Sequence, residues 1–299
     1  MTISVKLIEA STTLQGTVII TMELKYPRFI HAQMLTHRVF SRNSSSSRAI
    51  PVKKLIDNVL EDPVIPSYWG LNIKGMQAGE QINTLVRGTS REQAWQEAIV
   101  KAVDRATAFA EAGYHKQITN RLLEPFSHIK TIVTATEWDN FFALRKNELA
   151  QPEIVELATK MYSIWQEVLY NPNLTVLREY NKEWHLPYIS LEETKNYDIS
   201  TQIKLSVARC ARVSYNKIED NALQKDLELF YMLDLNNHLS PFEHQATAMP
   251  YYDEYSSKLQ LKRMGITHID MDNNYWSGNL RGMVQYRKYK EGILLPYST

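Results

Sequence analysis

Gln33-Met-Leu-Thr-His-Arg-Val-Phe-Ser-Arg-Asn-Ser-Ser-Ser-Ser-Arg48 crowds more hydrogen-bond donors into sixteen positions than any other stretch of this chain. His37, Arg38, Arg42 and Arg48 share it with the hydroxyls of Thr36, Ser41 and Ser44 to Ser47 and the amide of Asn43. An arginine fork meets a phosphate or an imide edge with two parallel bonds, and serine hydroxyls with free backbone N–H groups complete an anion cradle. A serine run can equally be a solvated linker. Order and spacing therefore decide.

Working outward, Val18-Ile-Ile-Thr-Met-Glu-Leu24 is β-branched, short and bounded by Gly16 and Pro27, which predicts a buried strand. Phe29, Ile30, Met34 and Phe40 recur at helical spacing, predicting a helix that sets Gln33, His37 and Arg38 near one another before Ser41 breaks the pattern. Ser90 with Gln93 marks the start of a long amphipathic helix ending before Gly113. A strand at Ile129 to Ala135, a helix at Trp138 to Leu144 and a helix opened by Pro152 follow. Asn171 to Asp198 has no sustained period and is predicted to be a connection. Beyond it come helices at Ile203 to Val213 and Leu223 to Leu235, a strand at Gln245 to Tyr251, and a helix at Asn279 to Lys288. These elements make an α+β chain, many helices with a small antiparallel or mixed sheet, organised as residues 1–170, a connection over 171–200, and 201–299.

Of the 299 residues, 44% are hydrophobic and 22% charged, enough for a sizeable core. Lys and Arg number 34 against 33 for Asp and Glu, so no broad field grips a nucleic-acid backbone and any anion must be met locally. The one cysteine, Cys210, excludes an internal disulfide and fits a reducing, cytoplasmic setting. No run of some 18 apolar residues predicts a membrane span, and no His spacing predicts a metal site.

Spacing in the opening stretch resembles the signature of the flavin-dependent thymidylate synthases, Q-x-x-R-H-R-x-x-S-x-N-E-x-S-x-R-Y. Gln33, His37, Arg38, Ser41, Asn43, Ser46 and Arg48 agree without a gap, while Thr36, Ser44 and Ala49 replace its Arg, Glu and Tyr. Arg121 in Asn120-Arg-Leu-Leu, and Asn140-Phe-Phe-Ala-Leu-Arg145 with Ala150-Gln-Pro-Glu-Ile154, resemble later motifs of that family. Its N-terminal motifs are similar to Cys210-Ala-Arg-Val-Ser-Tyr215 and Ser240-Pro-Phe-Glu-His244, so the order is circularly permuted. Leu123-Glu-Pro-Phe-Ser-His128 echoes Leu239-Ser-Pro-Phe-Glu-His244, a match short enough for either duplication or coincidence.

The resemblance implies FAD as cofactor, with NADPH and methylenetetrahydrofolate as co-substrates, and dUMP or a related pyrimidine nucleotide as substrate. It places the flavin against Thr36, His37, Arg38, Ser44, Asn140, Ser214 and His244. It places the nucleotide against Gln33, Ser45, Ser46, Ser47, Arg48, Arg121 and Arg145. Arg145 is the candidate catalytic residue, stabilising charge on the pyrimidine edge. Ser46 is a second candidate, better suited to binding because only His37 could serve it as a base. A homo-oligomer, tetramer or dimer, is implied too. The three replacements leave room for C5 hydroxymethylation of dUMP or methylation of dCMP, and loss of the flavin would leave a non-catalytic nucleotide binder. Arg281 and Gln285-Tyr-Arg-Lys288 form a second basic cluster, expected to be a solvated helix face.

Overall fold

The computed structural model describes residues 2–215, 223–250 and 256–293. Eleven strands appear among them: β1 Ser4–Thr13, β2 Val18–Pro27, β3 Ser41–Ser44, β4 His128–Ala135, β5 Thr175–Leu177, β6 Trp184–His185, β7 Ala246–Ala248, β8 His268–Ile269, β9 Tyr275–Ser277, β10 Leu280–Arg281 and β11 Met283–Gln285. The α-helices are α1 His31–Leu35, α2 Val52–Glu61, α3 Arg91–Glu111, α4 Lys116–Thr119, α5 Asp139–Arg145, α6 Pro152–Leu169, α7 Leu191–Asn196, α8 Ile199–Arg212, α9 Leu223–Leu235, α10 Lys258–Arg263 and α11 Tyr286–Ile293.

A five-stranded mixed sheet in the order β3-β4-β2-β1-β5 is the frame. Side chains alternate across a strand, and β2 uses both faces. Ile20, Met22, Leu24 and Tyr26 point into a core with Phe141, Phe142, Ile154, Leu157 and Met161 of α5 and α6. From the opposite face Ile19 packs with Ala246, Ala248, Leu280 and Met283, while Ile132 of β4 packs with Cys210 and Val213. The C-terminal third therefore covers the face that α5 and α6 leave open. A separate core holds α2 and α3, through Leu55, Val59, Ile99 and Ala106, against Leu123 and Phe126.

Four sequence expectations need correction. Helix over Phe29 to Phe40 is cut to a 3-10 turn, Arg28–Ile30, and the five residues of α1, and Ser41–Ser44 is not a break but a strand paired with Thr131 to Thr134. Asn171 to Asp198 contains β5, which extends the main sheet beside β1, as well as β6 and α7. Gln245 to Tyr251 shortens to Ala246–Ala248, and Tyr251 lies outside the described residues. Asn279 to Lys288 is not one helix: β10 and β11 come first and α11 starts at Tyr286. Gly282 is the reason, since its φ of +69° turns the chain where a Cβ would come within 2.6 Å of the Thr17 hydroxyl. Among the described residues no helix is long and apolar enough to cross a membrane.

Candidate active site

β3 pairs with β4, fixing Ser41 opposite Thr134 and Ser44 opposite Thr131. Four strand residues span about 10 Å, and the signature residues divide into two groups at its ends. At the N-terminal end α1 and the turn after it bring Gln33, Thr36 and His37 to the last turn of α5. Arg145 Nε donates to His37 Nε2 at 2.9 Å and Arg145 Nη2 donates to the Thr36 hydroxyl at 3.1 Å. Thr36 donates its own proton to the Gln33 carbonyl at 2.7 Å, and the Gln33 amide donates to Gln151 at 2.6 Å. Arg145 thus does more than cap its helix. His37 is buried with the edge of its ring against Phe141, centroids 4.9 Å apart. Burial, then the Arg145 and Arg42 charges, push it down to about 4, so it is neutral at pH 7. Arg42 donates to the Met34 and His37 carbonyls at 2.8 and 3.1 Å and pins the turn.

At the other end the serines turn mostly inward. Ser44 shares a 2.9 Å bond with Thr131, Ser45 accepts from the Lys130 N–H at 3.1 Å, and Ser47 donates to Glu124 at 2.6 Å. Ser46 is half-buried and its N–H donates to the Ser214 carbonyl at 3.0 Å, which joins the loop to the end of α8. His37 is engaged with Arg145 instead of Ser46, so it does not serve that serine as a base in this arrangement. Glu124 also accepts from Arg121 Nη1 at 2.8 Å, so an anion binding at Arg121 would compete with this carboxylate. Arg38, Arg48 and Asn140 are exposed. The Asn120 amide, beside Arg121 in the same motif, donates to the Ser47 and Ile50 carbonyls at 2.7 and 2.9 Å and shapes the loop.

His244 lies apart from these exposed donors. It is fully buried, at the end of a row of side chains: Ser11 to His185 Nδ1 at 3.0 Å, His185 Nε2 to Thr21 at 2.8 Å, Thr21 to Thr134 at 2.7 Å, and Thr134 to His244 Nδ1 at 2.8 Å. Among the described residues His244 Nε2 has no partner. A second buried row runs beneath β3, where Gln285 donates to Ser41 at 3.2 Å and to Asn279 at 2.9 Å, and Asn279 donates to the Val39 carbonyl at 2.8 Å. Sequence reasoning missed His185, Thr21, Thr134 and Asn279. The hint available was threonine at inward positions of otherwise aliphatic strands.

The C-terminal basic cluster is not a solvated helix face. Arg281 pairs with Glu137 at 2.5 Å, and Arg287 with Glu243 at 2.5 Å and Glu291 at 2.9 Å. The echoed hexapeptides both form 3-10 turns, within Asn120–Phe126 and at Ser240–Glu243, leading into β4 and β7. A cleft of about 950 Å³ opens past the C-terminal end of β4 between Glu137, Trp165, Arg178 and Arg281, and none of the signature residues lines it. One of about 790 Å³ adjoins Gln151, and one of about 350 Å³ lies behind Ser45. Among the described residues no group of three or more His, Cys, Asp or Glu is placed to hold a metal ion.

The model of the family described as thymidylate synthase complementing protein matches residues 8–169, which run from within β1 to the end of α6 and carry both groups of donors. The chain belongs to this family. Membership supports a methyltransferase-type enzyme of nucleotide metabolism. No curated protein matches the sequence. Among solved structures, a UMP/dUMP methylase PolB from Streptomyces cacaoi bound with 5-Br UMP is similar at 14% identity and a TM-score of 0.44, over 56% of this chain and 90% of that one. The same methylase bound with 5-Br dUMP gives 15% identity and a TM-score of 0.42, over 56% and 91%.

Proposed function

We propose that this family member methylates dUMP to dTMP, with FAD as the bound flavin, methylenetetrahydrofolate as one-carbon donor and NADPH as reductant. The observation that carries the reading is the join between Arg145 and the Thr36–His37 turn, which brings two separate family motifs into one hydrogen-bonded unit. His37, Arg38, Asn140 and Ser214 are the residues assigned to the flavin in this reading, with Thr36 and Ser44 in altered form, and Arg38 and Asn140 are exposed, whereas fully buried His244 supports the sheet beneath. Bound flavin supplies hydride chemistry, and the chain's part is to bind and orient. Ser46, Arg48 and Arg121 take the nucleotide phosphate, and Gln33 and Arg145 the base, where the guanidinium favours negative charge on the pyrimidine edge.

The permuted order is consistent with one assembled site, because Asn43 donates to the Cys210 carbonyl at 3.5 Å and Ser46 to that of Ser214. Separation of the two donor groups by the length of β3 favours a homo-oligomer, dimer or tetramer, in which neighbouring copies share sites. A second reading, dCMP methylation or dUMP hydroxymethylation, is favoured by Thr36 and Ser44: the first accepts from Arg145 and the second bonds Thr131, so both are built into the site as neutral groups.

Purified protein tests this directly. Flavin absorbance and tritium release from C5-labelled dUMP, in the presence of the folate and NADPH, are expected, with dTMP found by mass. Protein that holds no flavin even with added FAD would sink both readings, and tritium release from dCMP alone selects the second.

A further inference from the structure

Arg145 is held along one edge only. In a guanidinium Nε–H and one hydrogen of Nη2 lie on the same side of the plane, and these two nitrogens donate to His37 Nε2 at 2.9 Å and to the Thr36 hydroxyl at 3.1 Å. The other fork, between Nη1 and Nη2, has no partner among the described residues. Arginine has no acceptor, so His37 Nε2 must be bare and its proton must sit on Nδ1. Packing against Phe141, with the ring planes at 88°, fixes the imidazole that does the holding.

We propose that Thr36 and His37 are positioning residues that aim the free fork of Arg145 at a pyrimidine edge carrying two adjacent in-plane acceptors. This rests on the reading above, in which Arg145 meets the base. Two parallel N–H donors do not match neutral uracil, whose edge runs acceptor, donor, acceptor through O2, N3–H and O4. They match uracil that has lost its N3 proton, through N3 and O4, or neutral cytosine, through O2 and N3. The chemistry shared by the two is the pair of adjacent acceptors. Thr36 bears on the choice, since a neutral hydroxyl stands where the family signature has an arginine, leaving one cation fewer to favour an ionised base.

Calorimetric titration of dUMP and dCMP between pH 6 and 9, with Thr36→Val, Thr36→Ser, His37→Phe and His37→Gln beside the parent, tests the proposal. Val and Phe remove the acceptors that hold the guanidinium and are expected to weaken the preferred nucleotide about tenfold each. Ser and Gln keep an oxygen in place and are expected to restore most of it, which a merely structural role does not require. Affinity for dUMP that climbs about tenfold per pH unit identifies the ionised uracil. Affinity for dCMP that is tighter and flat identifies cytosine. Tight dUMP binding independent of pH, parent-like binding by Val and Phe, or failure of Ser and Gln in folded protein overturns the proposal. Nitrogen NMR of histidine-labelled parent protein gives a measurement free of nucleotide: His37 is expected as the Nδ1–H tautomer, and Nε2–H overturns the proposal. Parent protein with that tautomer that binds neither nucleotide overturns instead the assignment of Arg145 to the base.

Discussion

Lowering the pH from 6.5 to 5 tests the burial of His185 and His244. Both are fully buried, and burial pushes each down to about 3. An unfolded histidine titrates near 6.5, so between those two values the unfolded chain binds a proton that the folded chain refuses. Stability that is full above pH 6.5 is therefore lost as the pH falls. For the pair, the loss from pH 6.5 to 5 is about 3 kcal/mol, a large share of the roughly 5–15 kcal/mol of a folded domain. His31, His37 and His128, each pushed down to about 4 with burial as the first cause, add in the same direction. Glu9 opposes them, because burial raises it to about 6 and its folded form takes up a proton first. Urea unfolding followed by tryptophan fluorescence, at fixed protein concentration across this range, is the assay. Its slope against pH gives the protons taken up on unfolding, and His185→Gln is expected to reduce that number by about one. Unfolding free energy that stays flat between pH 6.5 and 5, or uptake below one proton near pH 5.5, would refute the reasoning.

Two further outcomes follow from groups outside the site. Asp226 is fully buried between Arg209 and Arg212, with contacts of 3.0 and 2.7 Å, so Asp226→Ala removes the carboxylate that both guanidinium groups share, leaving Arg209 its pair with Glu193, and is expected to cost about 3 kcal/mol in denaturant unfolding; a loss under about 1 kcal/mol contradicts the pairing. Cys210 is fully buried and burial pushes its thiol well up. A disulfide reagent should therefore leave the native protein unlabelled and count one thiol per chain after unfolding, and rapid native labelling speaks against the packing.

Local periodicity carried the sequence reading where it was long. Ser90 caps α3 by accepting from the Gln93 N–H, Pro152 opens α6, and Leu223 and Leu235 bound α9 as the apolar spacing predicts. It failed at Asn279 to Lys288, where Gly278 and Gly282 allow a hairpin that side-chain period alone reads as helix. In the candidate site, the residue types and their spacing were legible, but their directions were not. Recognising Ser41–Ser44 as a strand would have turned Ser41 and Asn43 to one face and Arg42 and Ser44 to the other. Partners such as His185 for Thr21, or Gln285 for Ser41, lie more than 150 positions away and leave no local trace.

The row from Ser11 to His244 behaves as one object. Each hydroxyl owns a single proton and each neutral imidazole owns one, and a hydroxyl that accepts on both sides strands its own proton, so the row is best satisfied when every link points the same way. If Ser11 donates first, both histidines carry their proton on Nε2, and the only loose group is the His244 N–H. Reversed, both carry it on Nδ1, and two groups are stranded, the Ser11 proton at one end and a bare His244 nitrogen at the other. The first polarity leaves fewer groups unsatisfied and is the one the interior favours. Strand β1 and the turn before β7, more than 230 residues apart in sequence, are thus coupled through one proton order: to turn over one proton at either end strands a hydroxyl unless the rest turn over with it.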